Sequence, residues 1–202
     1  MIELLIATKN RGKLREIREL LAGLDIAITS LADYPDMPAI VEDADSFAGN
    51  AAKKALTIAK HTGKLVMGED SGLEVRALDN RPGVYSARYA GENATDEENN
   101  KKLLQELQDV PMSRRQARYR CFVALADRSG LVGTVDGKCA GLIAPRRRGS
   151  NGFGYDPLFL IPRYQKTFGE LAPAIKAKIS HRARALKKFK KFFKDYLIGK
   201  SI

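Results

Sequence analysis

The stretch that constrains this chain most is Leu65-Val66-Met67-Gly68-Glu69-Asp70-Ser71-Gly72-Leu73-Glu74-Val75. An apolar run leads into two neighbouring carboxylates and a hydroxyl, and the chain resumes as Leu73-Glu74-Val75. Read locally, this is a short buried strand that ends in acids, turns on glycine and starts again. Such a strand sets its carboxylates at the carboxyl edge of a sheet, where open α/β sheets bind ligands. Successive strand residues point to opposite faces, so Glu69 and Asp70 are expected to do different work. One can hold a hard cation through oxygen, as magnesium prefers, and one can act on water. A strand ending in a hydrogen-bonded Asp-Ser turn has the same local appearance, so the rest of the chain decides.

The chain has 202 residues, enough for one sizeable domain or two small lobes around a cleft. No apolar run approaches the roughly 20 residues of a membrane helix. The chain opens directly on an apolar strand, which predicts no leader and a cytoplasmic location. Cys121 and Cys139 sit in apolar strand-like stretches and read as buried thiols, not as a disulfide frame or a zinc site. A net charge of +11 favours a polyanionic partner: nucleic acid, a membrane surface or a phosphate-rich small ligand. Much of the excess lies in 114–120 and 182–194. The lysines of the second run are most simply a solvated helix face, and no recognised nucleic-acid motif accompanies them, so neither a nucleic-acid nor a membrane partner is expected.

Taken in order, Ile2 to Ala7 reads as a strand, and Thr8-Lys9-Asn10-Arg11-Gly12-Lys13 as a polar loop. Leu14, Ile17, Leu20, Leu21 and Leu24 then recur at helical spacing. A strand, a basic loop with glycine and a helix start form a phosphate-binding arrangement, since free backbone N–H groups and the helix dipole favour an anion. The same segment also reads as an ordinary connection capped by Asn10. Ile26 to Thr29 reads as a short strand and Tyr34 to Pro38 as loop. Glu42-Asp43-Ala44-Asp45 precedes a helix capped by Asp45 or Ser46, with Phe47, Ala51, Ala55 and Ile58 inward and Gly63 at its end. Glu42 is a candidate to face the same cation as Asp70.

Pro82-Gly83 reads as a turn, and Thr95 to Glu98 as a capping box opening a helix on Leu103, Leu104 and Leu107. Residues 117–126 and 131–143, joined by Asp127-Arg128-Ser129-Gly130, read as a β-hairpin, which breaks the βα rhythm. Gly149-Ser150-Asn151-Gly152-Phe153-Gly154-Tyr155-Asp156-Pro157, with three glycines, is too glycine-rich for a core strand, and suits either a turn or a planar ligand stacked on Phe153 with backbone close by. Ser180 is expected to cap a long helix with Leu186, Phe189, Phe193, Tyr196 and Leu197 inward. Lys176, His181 and Arg182 gather donors suited to carbonyl or phosphate oxygens.

Five of these stretches occur together and in family order: Ile6 to Lys13, Gly68 to Leu73, Pro82 to Tyr89, Gly152 to Pro157, and Ser180-His181-Arg182. With this set the chain resembles the inosine triphosphate pyrophosphatase family, whose members are also called dITP/XTP pyrophosphatases. The resemblance covers essentially the whole chain. It implies one nucleoside triphosphate pyrophosphatase domain over 1–202: an elongated, two-lobed α/β fold with a central twisted mixed sheet flanked by helices and an active-site cleft between the lobes. It also implies a homodimer, magnesium, and hydrolysis of ITP, dITP and XTP to the monophosphate and pyrophosphate. By the same resemblance, Thr8, Lys9, Asn10, Arg11, Gly12 and Lys13 hold the triphosphate. Asp70 is base and metal ligand, Glu42 is the second metal ligand, and Ser71 contacts substrate. Phe153 stacks on the base, Gly154, Tyr155 and Asp156 shape its pocket, and Lys176, His181 and Arg182 read the base. Lys9 and Gly49 depart from the family pattern, which more often has glycine and glutamate there. The alternatives are a Maf-like pyrophosphatase for other nucleotides and, from charge alone, a basic nucleic-acid-binding protein.

Overall fold

Leu4, Leu5 and Ile6 are fully buried, which makes the first strand, β1 (Ile2–Ile6), an interior strand lined on both faces. The structure, a computed structural model, describes residues 2–34 and 36–200. Met1 and Pro35, and with Pro35 part of the loop expected over 34–38, lie outside the described residues. After β1 come α1 (Arg11–Leu21), β2 (Ile26–Ser30), α2 (Phe47–Thr62), β3 (Val66–Val75) and α3 (Asp96–Glu106). Strands β4 (Gln116–Asp127), β5 (Gly130–Ile143), β6 (Phe159–Ile161) and β7 (Lys166–Thr167) follow, then α4 (Pro173–Ile179) and α5 (His181–Lys200).

The strands form one seven-stranded sheet in the order β2-β1-β3-β4-β5-β6-β7. β1 pairs in parallel with β2, Ile2 opposite Ile26, and with β3, Ile6 opposite Met67. β6 pairs antiparallel with β5 and with β7. β4 and β5 are neighbours joined by only Arg128 and Ser129, which requires an antiparallel hairpin. Its turn is closed by Ser129 N–H donating to Asp127 Oδ1 at 2.8 Å. The sheet is therefore mixed and the fold is α/β, as expected.

Two compact units divide the chain. The first comprises Met1–Asp70, Cys121–Gly137 and Arg182–Ile202. In it, α1 and α5 lay Ile17, Leu21, Leu186, Phe189 and Phe193 onto Leu4, Ile6, Met67 and Val123. α2 lays Ala51, Ala55 and Ile58 with Leu5, Val66 and Ala124. The second unit comprises Ser71–Arg120 and Lys138–His181. Its core gathers Leu73, Leu103, Leu107, Tyr119, Phe159 and Phe168, with Tyr119 and Phe159 ring centroids 4.6 Å apart.

Helix ends follow the sequence closely. Asn10 Oδ1 accepts from Lys13 N–H at 2.9 Å, Ser46 Oγ from Gly49 N–H at 3.1 Å, and Thr95 with Glu98 forms the reciprocal capping box. Gly63 takes φ of 68° beyond α2.

The central stretch needs a correction. β3 does not end at the carboxylates and does not turn at Gly72; it runs unbroken from Val66 to Val75. The strand that ends here is β1, and β3 continues past it. The glycine beside the acids has another cause: a Cβ on Gly68 would lie 2.1 Å from Ala51 O and 2.7 Å from Ala55 N. Gly68 thus marks where a helix backbone presses against a strand, not a bend in the chain.

Candidate active site

Because Ile6 is paired with Met67, the segment leaving β1 lies beside Gly68, Glu69 and Asp70, and Ala7 N–H donates to Met67 O at 2.8 Å. Asn10 N–H donates to Thr8 Oγ1 at 3.1 Å, which folds the loop back into the start of α1. Lys9, Asn10 and Arg11 are exposed, while Lys13 turns inward, its Nζ 3.1 Å from Glu69.

Glu69 and Asp70 have separate partner sets. The Glu69 side chain is fully buried, between Lys13 and Arg182, each at 3.1 Å. Arg182 also pairs with Glu16, and the Cys121 thiol donates to Glu69 Oε1 at 3.2 Å. Two carboxylates thus meet two cations. Burial, and then Glu69, push the Cys121 thiol well above its ordinary range, so it remains a protonated donor. Arg182 is held fully charged: burial opposes the charge, but Glu69 and Glu16 outweigh it.

Asp70 faces α2. Its Oδ1 is 2.9 Å from Lys54 Nζ, and its Oδ2 accepts weakly from Asn50 Nδ2 at 3.4 Å. Lys54 is also 2.8 Å from Glu42, and Asn50 Oδ1 accepts from Ala44 N–H at 3.0 Å, which ties the acidic loop to the same helix. Two carboxylates here meet one ammonium, leaving the set one charge negative. Burial raises the Asp70 pKa, with Lys54 and Lys13 pulling against it, while Lys54 itself is raised because Asp70 and Glu42 outweigh its own burial. Two carboxylates with an excess of negative charge suit a divalent cation that takes its other ligands from water and phosphate. Among the described residues no group of three or more His, Cys, Asp or Glu side chains is placed to hold a metal.

In the second unit the glycine-rich segment is built around Asp156. Its Oδ2 accepts from Phe153 N–H at 3.0 Å and from Lys176 Nζ at 2.5 Å. A Cβ on Gly152, where φ is 81°, would sit 1.9 Å from that oxygen, so only glycine lets the segment close. α3 grips the next residue at both ends: Gly154 N–H donates to Asp96 Oδ2 at 2.6 Å, and Asn100 Nδ2 donates to Gly154 O at 2.8 Å. Tyr155 is buried, and its hydroxyl donates to Ser86 O at 2.8 Å. Burial pushes its phenol far above the ordinary value. Lys176 Nζ lies 4.8 Å from the Phe153 ring centroid. His181 stacks on Tyr119 with centroids 4.5 Å apart and planes 10° apart.

The structure therefore brings Lys13 and Arg182 onto Glu69, leaves Lys9, Asn10 and Arg11 exposed on the loop before α1, and joins Glu42 to Asp70 through Lys54. It brings Phe153, Gly154, Tyr155, Asp156 and Lys176 into one cluster. Sequence reasoning passed over Lys54, Asn50, Glu16, Asp96 and Asn100. For α2 a signal existed: Asn50 and Lys54, one turn apart, sit beside the apolar stripe of Ala51 and Ala55, and buried polar side chains there need partners.

The family model described as the Ham1 family matches residues 4–192. A protein of Desulforamulus reducens named dITP/XTP pyrophosphatase is 48% identical over 187 residues, covering 93% of each chain. One of the same name from Rhodopirellula baltica is 52% identical over 190 residues, covering 94% of this chain and 91% of its own. The solved structure of a HAM1 protein from Coxiella burnetii superposes with a TM-score of 0.88 at 40% identity, covering 96% of this chain and all of that one. With that match over nearly its whole length, and with the residue sets above in place, the chain belongs to the Ham1 family.

Proposed function

We propose that this chain hydrolyses dITP, XTP and ITP to the nucleoside monophosphate and pyrophosphate. The observation that carries the reading is the pair of neighbouring carboxylates in different charge balance, Glu69 matched by cations and Asp70 not, in a chain whose relatives are named for this substrate class. Asp70, with its raised pKa, accepts a proton from a water that attacks the α-phosphorus. The new bond forms between that water oxygen and the α-phosphorus, and the bond from the α-phosphorus to the bridging oxygen breaks. The departing pyrophosphate is met by Lys13 and by the N–H groups at the start of α1. Thr8, Lys9, Asn10, Arg11 and Gly12 complete the triphosphate set, with Ser71 as a further contact. Magnesium, when bound, supplies neutralisation of triphosphate charge, and Glu42 and Asp70 are the oxygens that would hold it.

The base falls to Phe153 for stacking and to Lys176 and His181 for donors, with Gly154, Tyr155 and Asp156 shaping the segment. Arg182 serves the same end from a fixed position, held by Glu69 and Glu16. Donors match a 6-oxo group and leave a 6-amino group unpaired, at a cost of about 1–3 kcal/mol for each buried polar group left without a partner. Magnesium as the particular cation and a homodimer complete the reading and rest on the motif resemblance, and a cytoplasmic location is proposed beside them. Among the described residues no helix is long and apolar enough to cross a membrane.

The test is pyrophosphate release from dITP, XTP, ITP, GTP and ATP, with magnesium and with chelator. Metal-dependent release from the first three, far above ATP and GTP, is expected. Equal release from all five would remove the base-reading set while keeping the hydrolase. No release from any would remove the reading.

A further inference from the structure

The geometry of α1 and α5 points to a second ligand. Arg182 at the start of α5 pairs with Glu16 midway along α1, and Lys190 Nζ further along α5 donates to Ala22 O just past the end of α1 at 3.1 Å, so the two helices run side by side in the same direction. Both bury their apolar faces in one cluster. Their outer faces carry Arg15 and Arg18 on α1 and Lys187, Lys191 and Lys194 on α5. All five are exposed, and none enters an ion pair among the described residues. The lysines recur at steps of four and three, so they form one ridge roughly 10 Å long at 1.5 Å per residue. Glu19 and Asp195 are the exposed acids on these helices, against those five cations and Arg11, Arg184 and Lys188.

We propose that this face of the first unit binds the phosphate backbone of B-form duplex DNA without sequence preference. Charge complementarity selects a polyanion. The apolar side of α5 rules against a membrane surface: Phe189 and Phe193 are buried and Phe192 and Tyr196 pack on the same core, leaving Ile198 as the exposed large apolar residue of the helix. The same burial rules against single strands, since no aromatic ring is presented for bases to stack on. Neither helix contains Ser, Thr, Asn or Gln, the neutral side chains suited to reading a 2′-hydroxyl, which favours DNA over RNA. The proposal is independent of the pyrophosphatase reading, and none of the five cations belongs to the site described above.

The experiment is fluorescence anisotropy with a short labelled DNA duplex of arbitrary sequence across a salt series. Five neutralised phosphates give a slope of about −4.5 in log K against log salt, or about a 500-fold loss between 50 and 200 mM. The triple variant Lys187→Gln, Lys191→Gln, Lys194→Gln should lower the slope to about −1.8, or about a 12-fold loss over that range. The triple Lys→Arg variant should keep the original slope, and both variants should keep the thermal midpoint of the unaltered chain. A slope shared by the Gln variant and the unaltered chain overturns the proposal. So does equal or tighter binding to duplex RNA, to single-stranded DNA or to vesicles of anionic phospholipid.

Discussion

Lys54 Nζ lies 2.9 Å from Asp70 and, from the same ammonium, 2.8 Å from Glu42, so one helical lysine links two carboxylates sixteen and twelve residues away in the chain. Asp70 is thereby fixed in orientation without being neutralised. Asp70→Asn keeps the shape and removes the proton acceptor. We expect a loss of roughly 10²–10⁴-fold in turnover, measured as pyrophosphate release from dITP. Turnover near that of the unaltered chain would take Asp70 out of the role of base.

Lys54→Met is the complementary change. It removes from Asp70 and Glu42 the ammonium they share. We expect turnover to fall by about 10²-fold, the size of effect seen when a preorganised charge is removed from a reacting centre. Unchanged turnover would reduce Lys54 to a fold contact.

Gly68→Ala tests the spacing that makes this contact. The added methyl would have to displace the α2 backbone at Ala51 and Ala55. Overpacking of this kind costs about 1–3 kcal/mol, often more against backbone. Because Asn50 and Lys54 ride on α2, activity should drop along with the urea midpoint. A variant with a lowered midpoint and full activity would separate the two.

Arg182→Met takes from the buried Glu69 one of its two cations and from Glu16 the guanidinium it pairs with. Breaking one member of a buried ion pair costs about 3–5 kcal/mol. The double variant with Glu69→Gln should recover part of that loss in chemical denaturation, since the stranded charge is gone. A double variant no more stable than the single one would contradict this account.

Glu3 accepts from Thr29 and Tyr34 and pairs with Lys64 at 2.5 Å, and those partners depress its pKa to about 2 from an unperturbed 4.5. A depressed carboxylate stabilises the fold fully above its unfolded pKa and ceases to do so as pH falls through the folded one. Glu3→Gln should therefore melt below the unaltered chain at neutral pH, with the gap closing between pH 4.5 and about 2. A gap that stays constant through that window would show the effect to be packing.

How much of this was legible beforehand depends on the range of the interaction. Asn10, Ser46, Gly63 and the Thr95–Glu98 box act within three or four residues, and their spacing alone places them. The hairpin turn at Asp127 to Gly130 is equally local. The course of β3 was not legible, because Gly72 suits both a turn and a strand, and the helix pressed on Gly68 lies far enough along the chain to leave no local mark. The Glu69–Arg182 contact joins residues 113 apart, so nothing near either one announces it. The seven-residue α4 and the two-residue β7 are too short to carry a period.

Phe153 has Lys176 over its ring, with the ammonium itself fixed by Asp156. One side of the aromatic plane is thus already taken by the ammonium. A wedge that separates stacked bases needs both of its sides clear, and this ring already has a side occupied. A base still stacked in a strand would have to leave its neighbours before it could be read. If the segment reads a base as proposed, it is suited to free nucleotides: it would examine the pool from which strands are made, while bases already incorporated pass unread.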